Sequence, residues 1–131
     1  MKNLREELKK RIPTVEAAYK ETGRPEVDFS VYPEDLRVHK KACYDAEILV
    51  EAARKIEREN GLGEIDWSNW EQYKFIPWFK MRPSSFSFFV TYFDLGVAYA
   101  GCGSRLRVLA LETAEYLGEK FIEVWKNVQL G

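Results

Sequence analysis

Residues 33–60 read PEDLRVHKKACYDAEILVEAARKIEREN, and the spacing of their apolar positions predicts one long helix. Ala42, Cys43, Ala46, Leu49, Val50, Ala53 and Ile56 recur every three or four residues, and Tyr44, Ile48 and Ala52 widen the stripe. A stripe that broad belongs to a helix packed on more than one side, so this segment is expected to be the centre of the core. Pro33 suits a first helical position, Glu34 and Asp35 complement the positive end, and Arg54, Lys55 and Arg58 the negative end. Gly61 is the expected left-handed stop.

On the N-terminal side, Asn3 and Glu6 have capping-box spacing ahead of Leu4 and Leu8. Pro13 then breaks that helix, because proline lacks an amide hydrogen and clashes with the preceding turn. Thr14 can cap a second short helix over 15–21, ended by Gly23 and Pro25. Residues 24–32, RPEVDFSVY, read as a loop pinned to the body by Val27, Phe29, Val31 and Tyr32.

Past the glycines at 61 and 63, Ser68 and Glu71 have the spacing of a single capped turn over 68–73. From Lys74 the period becomes two: Phe75, Phe79 and Met81 alternate against Lys74, Ile76, Trp78 and Lys80. Phe86, Phe88, Val90 and Tyr92 alternate against Ser87, Phe89, Thr91 and Phe93. Turn signals at 94–96 and 101–103 bracket residues 97–100, and 105–110 reads as a further strand. Ala114, Leu117, Phe121, Val124, Trp125 and Val128 mark a last helix over about 112–128. The expectation is therefore α+β: N-terminal helices including one long central helix, then a three- to four-stranded antiparallel meander, then a C-terminal helix. One domain over 1–131 accommodates all of it: short helices and loop to 32, central helix 33–60, aromatic turn and sheet 64–110, and final helix 111–131.

Composition excludes several functions. Twenty Lys and Arg against 21 Asp and Glu give a net charge of −1, so the chain is neither a polycation that coats nucleic acid nor an acidic tail. No apolar run approaches the roughly 18 residues of a membrane span, and the opening MKNLREELKKR is too charged for a signal peptide. Two cysteines make no disulfide framework and fit a reducing cytosol. His39 is the single histidine. Its i, i+4 spacing with Cys43 suits two metal ligands or a nucleophilic pair, but further ligands are wanting. We expect no metal, no cofactor and no catalytic residue. Gly101 and Gly103 precede a strand rather than a helix, so no helix dipole is offered to a phosphate.

Two surfaces stand out. Residues 74–110 carry +4, against −5 for the rest of the chain, through Lys74, Lys80, Arg82, Arg105 and Arg107 opposed by Asp94 alone. Parity places Lys74, Trp78 and Lys80 on one face, and Arg105 and Arg107 on one face of a later strand. Were those faces to coincide, bases would stack on Trp78 while the cations hold phosphate. The second surface is DWSNWEQYKFIPWF, residues 66–79, where Trp67, Trp70, Tyr73 and Trp78 offer an aromatic hot spot for a protein partner. The same rings equally suit a clasp that packs this turn onto the helices.

The run W-x-x-W-x-Q-Y-K-x-x-P-W-F-x-M from Trp67 to Met81, then F-S-F at 86–88, G-S-R-L at 103–106 and A-E-Y-x-G-x-x-F at 114–121 resemble a group of small proteins of phages and prophages of gut bacteria. The resemblance implies a phage-associated accessory or structural protein and carries no catalytic residue. This chain departs from that pattern after G-S-R-L, where Arg107, Val108 and Leu109 stand in place of an aromatic residue and a lysine. Residues and resemblance together predict a non-enzymatic accessory protein that binds an anionic nucleotide or single-stranded nucleic acid through Lys74, Trp78, Lys80, Arg82, Arg105 and Arg107. Sequestering a host signalling nucleotide is one use of such a face. The alternative is an interaction module, inhibitory or structural, that holds a host protein on Trp67, Trp70, Tyr73 and Trp78. Homo-oligomerisation is left open, and no membrane is involved.

Overall fold

The computed structural model describes residues 3–69, 71–82, 85–94 and 106–130. Among the described residues, five α-helices and one strand pair make an α+β arrangement: α1 Leu4–Arg11, α2 Val15–Thr22, α3 Arg37–Glu59, β1 Lys74–Arg82, β2 Ser85–Asp94, α4 Leu111–Lys120 and α5 Ile122–Leu130. Asn3 accepts from the Arg5 amide at 2.9 Å and Thr14 from the Ala17 amide at 3.1 Å, so both short helices start at their expected caps. Gly23 (φ 68°) and Gly61 (φ 88°) take the left-handed conformation that ends α2 and α3. No helix among the described residues is long and apolar enough to cross a membrane.

The central helix is shorter than the 33–60 stripe. Glu34–Leu36 form a separate 3-10 turn after Pro33, and α3 proper begins at Arg37. Its buried face carries Ala42, Ala46, Ile48, Leu49, Val50, Ala52, Ala53 and Ile56 as expected. The same face also buries two carboxylates, Asp45 and Glu57. α3 packs against α2 and α5, while α4 bridges α1 to the hairpin. Charge ties the helices further: Arg11 donates to both oxygens of Glu21 and also pairs with Glu59, and Lys55 joins Glu21 at 3.2 Å.

The described sheet has two strands rather than three or four. Instead of a strand over 105–110, one antiparallel bridge joins Phe75 to Val108, with N–H···O bonds of 2.8 and 3.0 Å in the two directions. Residues beyond that bridge cannot continue the ladder, because the Leu109 and Ala110 amides turn away to the Glu57 carboxylate. The strand expected at 97–100 lies outside the described residues.

Register also corrects the parity of β2. Trp78 pairs with Val90 but Phe79 pairs with Phe88, so Phe89 is an extra residue in a β-bulge. Residues 88 and 90, expected on one face, therefore pair with residues of opposite parity on β1.

The last helix divides at Phe121, whose φ and ψ of −112° and 39° leave the helical region. Trp125, buried, returns its indole N–H to the Leu117 carbonyl at 3.0 Å. The capped turn expected over 68–73 is not helical. It is a series of tight turns in which Asp66 accepts from the Ser68 amide and Gln72 bonds the Asp66 amide and the Glu64 carbonyl.

Candidate interaction surface

Lys74 does not sit on an open face. It is fully buried, its Nζ donating to the Asn69 carbonyl at 3.2 Å and lying 5.3 Å from the centre of the Trp67 ring. The loop before β1 folds over the strand's first residue, and a carbonyl, an aromatic face and the nearby Asp66 carboxylate help to offset the cost of burying the cation. Trp67, half-buried, is thus one wall of a clasp, whereas Tyr73 is 53% exposed. Arg107 is half-buried, and its carbonyl accepts from Arg54 Nε at 2.7 Å. The side chains of Trp78, Lys80 and Arg82, together with Trp70 and Arg105, lie outside the described set.

Several described residues of the quoted motifs hold the fold. Phe79 stacks on Phe86 at 4.8 Å and on Trp125 at 5.8 Å between ring centres. Gly118 lets α4 approach the hairpin: a Cβ there would stand 2.7 Å from Phe88 Cδ2 and 2.8 Å from Pro77 Cβ. Ala114 is core, Glu115 pairs with Arg5, Tyr116 donates to the Ile12 carbonyl at 2.9 Å, and Phe121 packs edge-on against Tyr116.

His39 and Cys43 meet without forming a reactive pair. Cys43 Sγ lies 3.5 Å from His39 Nε2 and 3.9 Å from Nδ1. Such nearly equal distances put the sulphur off the lone-pair axis of either nitrogen. His39 Nδ1 faces the Asn127 carbonyl at 3.4 Å. Burial pushes the Cys43 thiol pKa up, against a small opposing pull from Lys40, which is the reverse of activation. No group of three potential metal ligands occurs among the described residues.

Glu57 is the least expected polar group. Fully buried on α3, it accepts from the Leu109 amide at 2.9 and 3.0 Å and from the Ala110 amide at 2.8 Å. Ala110 is the N-cap of α4 and its own side chain can cap nothing. The carboxylate of α3 therefore takes the N-cap amide of α4, as the glutamate of a capping box does from within its own helix, and sets negative charge at the positive helix end. Desolvation raises the Glu57 pKa, with those amide bonds, the Thr113 hydroxyl and Arg54 opposing it. The sequence does carry a signal for it: position 57 follows Ala53 by one turn on the apolar stripe.

A cleft of about 240 Å³ runs along α3 between Glu47, Glu51, Arg54 and Arg58. Three of these four side chains are engaged: Arg24 grips both oxygens of Glu51, Arg58 pairs with Glu64 and Arg54 holds the Arg107 carbonyl.

The surface that sequence reasoning placed wrongly is the segment leading into α3. Val27, Val31 and Tyr32 were expected to pin it down, yet Val31 is 81% exposed and Val27 and Tyr32 are also exposed, as are Leu36 and Val38. Phe29 is the half-buried member, with its ring centre 5.9 Å from Tyr44 and 6.2 Å from Tyr32. The backbone is nevertheless fixed. Asp28 accepts from the Ser30 amide at 2.9 Å, Arg37 donates to the Tyr32 and Ser30 carbonyls, and Tyr44 donates to the Pro25 carbonyl. The apolar residues here follow neither a period of 3.6 nor of two, because successive tight turns aim them. Comparison with protein-family models, curated proteins and solved structures finds no match to this chain.

Proposed function

We propose that the chain is a non-enzymatic binding protein that holds another protein, in the manner of the phage-associated accessory proteins its motifs resemble. The observation that carries this reading is the fixed segment from Val27 to Val38, which presents five exposed apolar side chains to solvent. Single exposed valines are ordinary, but several on one ordered stretch are the usual mark of an interaction site. Because hydrogen bonds already hold the segment, a partner loses little by ordering it further. Of the described aromatic side chains at 66–79, Trp67 and Phe79 are committed to the clasp and the core, and Tyr73 is exposed.

The test is a comparison of the native chain with Val31→Asp/Leu36→Asp as bait in a bacterial host lysate. A protein retained by the native chain and lost from the variant, at unchanged melting temperature, supports the reading. Equal retention by both baits refutes it.

The bridge between Phe75 and Val108 favours a second reading. It sets the Arg107 backbone beside β1, where a nucleotide or single-strand site on Trp78, Lys80, Arg82, Arg105 and Arg107 would draw on that edge. Lys74 has no part in that site. A thermal-shift panel of mono-, di- and cyclic nucleotides and short single strands tests it. A stabilisation that weakens steeply with salt and disappears in Arg107→Ala supports it.

A further inference from the structure

The charges around the exposed apolar segment identify the chemistry of what it binds. Glu26, Asp28, Glu34 and Asp35 are all exposed and interleave with Val27, Val31, Tyr32 and Leu36, and residues 25–36 hold no basic side chain. None of the four is in an ion pair among the described residues. Of the cations near by, Lys41 is paired with Asp45 at 2.8 Å and Arg24 with Glu51, while Arg37 donates to two backbone carbonyls and its charge acts on Asp28. Lys40 sits 5.5 Å from the centre of the Tyr32 ring. Four carboxylates against Arg37 and Lys40 leave an apolar centre with a net acidic surround, which is half of a complementary interface.

From this we infer that the Val27–Val38 surface binds a basic, apolar polypeptide segment, with bulky aliphatic or aromatic side chains set between lysines and arginines. The inference rests on the protein-binding reading above and adds the sign of the partner. Nucleic acid and anionic lipid are repelled by the same four carboxylates. A second copy of the chain would bring its own four carboxylates against them in any two-fold pairing of this surface.

A library of random dodecapeptides selected on the full-length protein, and counter-selected on Val31→Asp/Leu36→Asp, tests it. Val31 and Leu36 are exposed, so the variant is expected to keep the native circular dichroism and melting temperature. Peptides retained by the native chain and rejected by the variant are expected to be enriched in Lys and Arg over Asp and Glu, beside bulky apolar residues. Glu34→Lys/Asp35→Lys should weaken a selected peptide by about tenfold. If variant-sensitive peptides emerge but are neutral or acidic, the surface stands and the charge inference is overturned. If no peptide distinguishes native from variant, both fail. A concentration-dependent dimer of the native chain that disappears in the variant assigns the surface to a second copy and overturns the inference.

Discussion

Glu57→Ala should unseat the start of α4 from a residue more than fifty positions away in sequence. The native carboxylate satisfies the Leu109 and Ala110 amides, and Ala110 is only 8% exposed. A buried donor left without a partner costs about 1–3 kcal/mol. Leu109 is half-buried, so water recovers part of its loss, and removing a desolvated carboxylate returns some free energy as well. The net expectation is a destabilisation of about 2–3 kcal/mol, which lowers the melting temperature by about 10 °C in a chain of this size. Native-state hydrogen exchange should accelerate first at Leu109, Ala110 and the opening turn of α4. Glu57→Gln, which keeps an acceptor but turns an N–H group toward one amide, should cost about half as much.

The pH dependence carries a definite sign. Because the folded pKa of Glu57 lies above its unfolded one, its contribution is fully present below the unfolded pKa and falls as pH rises through the folded pKa. The advantage of Glu57 over Gln should therefore be largest in acid and shrink toward neutrality. A Glu57→Ala protein melting within about 2 °C of native, or showing unaltered exchange at the start of α4, would refute the tertiary cap.

Three further outcomes follow from the packing. Lys74→Ala should lower stability by about 1–3 kcal/mol, since it empties a buried site against Trp67 and the Asn69 carbonyl; an unchanged denaturation midpoint would return Lys74 to an exposed face. Gly118→Ala should destabilise by about 1–3 kcal/mol, read from urea melts, although alanine is the better helix former by about 1 kcal/mol. The Pro77 ring and Phe88 stand too close for a Cβ, so a stabilised variant would contradict that approach. Arg11→Ala should cost about 1 kcal/mol at neutral pH after allowance for solvent screening. Hydrogen bonding to Arg11 holds the Glu21 pKa below its usual value. That contribution is present above the unfolded carboxylate pKa and lost as pH falls through the folded one, so the variant should flatten the acid side of the stability profile.

How far the sequence could be read followed from where each signal is written. Caps and stops lie within a few residues of the backbone groups they serve, so Asn3, Thr14, Gly23 and Gly61 announced the helix ends correctly. The stripe from Ala42 to Ile56 was equally legible, because a helix repeats its geometry along its own length. The hairpin strands were legible as a period of two, but the bulge at Phe89 was not, since a bulge is a property of two strands in register.

Composition misled wherever it stood in for position. Lys74 counted as one more cation of a basic segment, yet the loop carrying Trp67 and Asn69 closes over it. Val27, Val31 and Tyr32 counted as anchors, yet turns at Phe29–Val31 and Glu34–Leu36 direct them outward. By itself the sequence determined the two N-terminal helices, the buried stripe and C-terminal stop of α3, the strand pair and the charge of each segment, all set by neighbours along the chain. It determined neither the 3-10 turn before α3 nor the break at Phe121. Only the tertiary structure decided that Glu57 caps α4, that Gly118 meets Pro77, and which apolar and charged side chains remain facing water. Burial depends on which distant segments come together, and no local pattern encodes that.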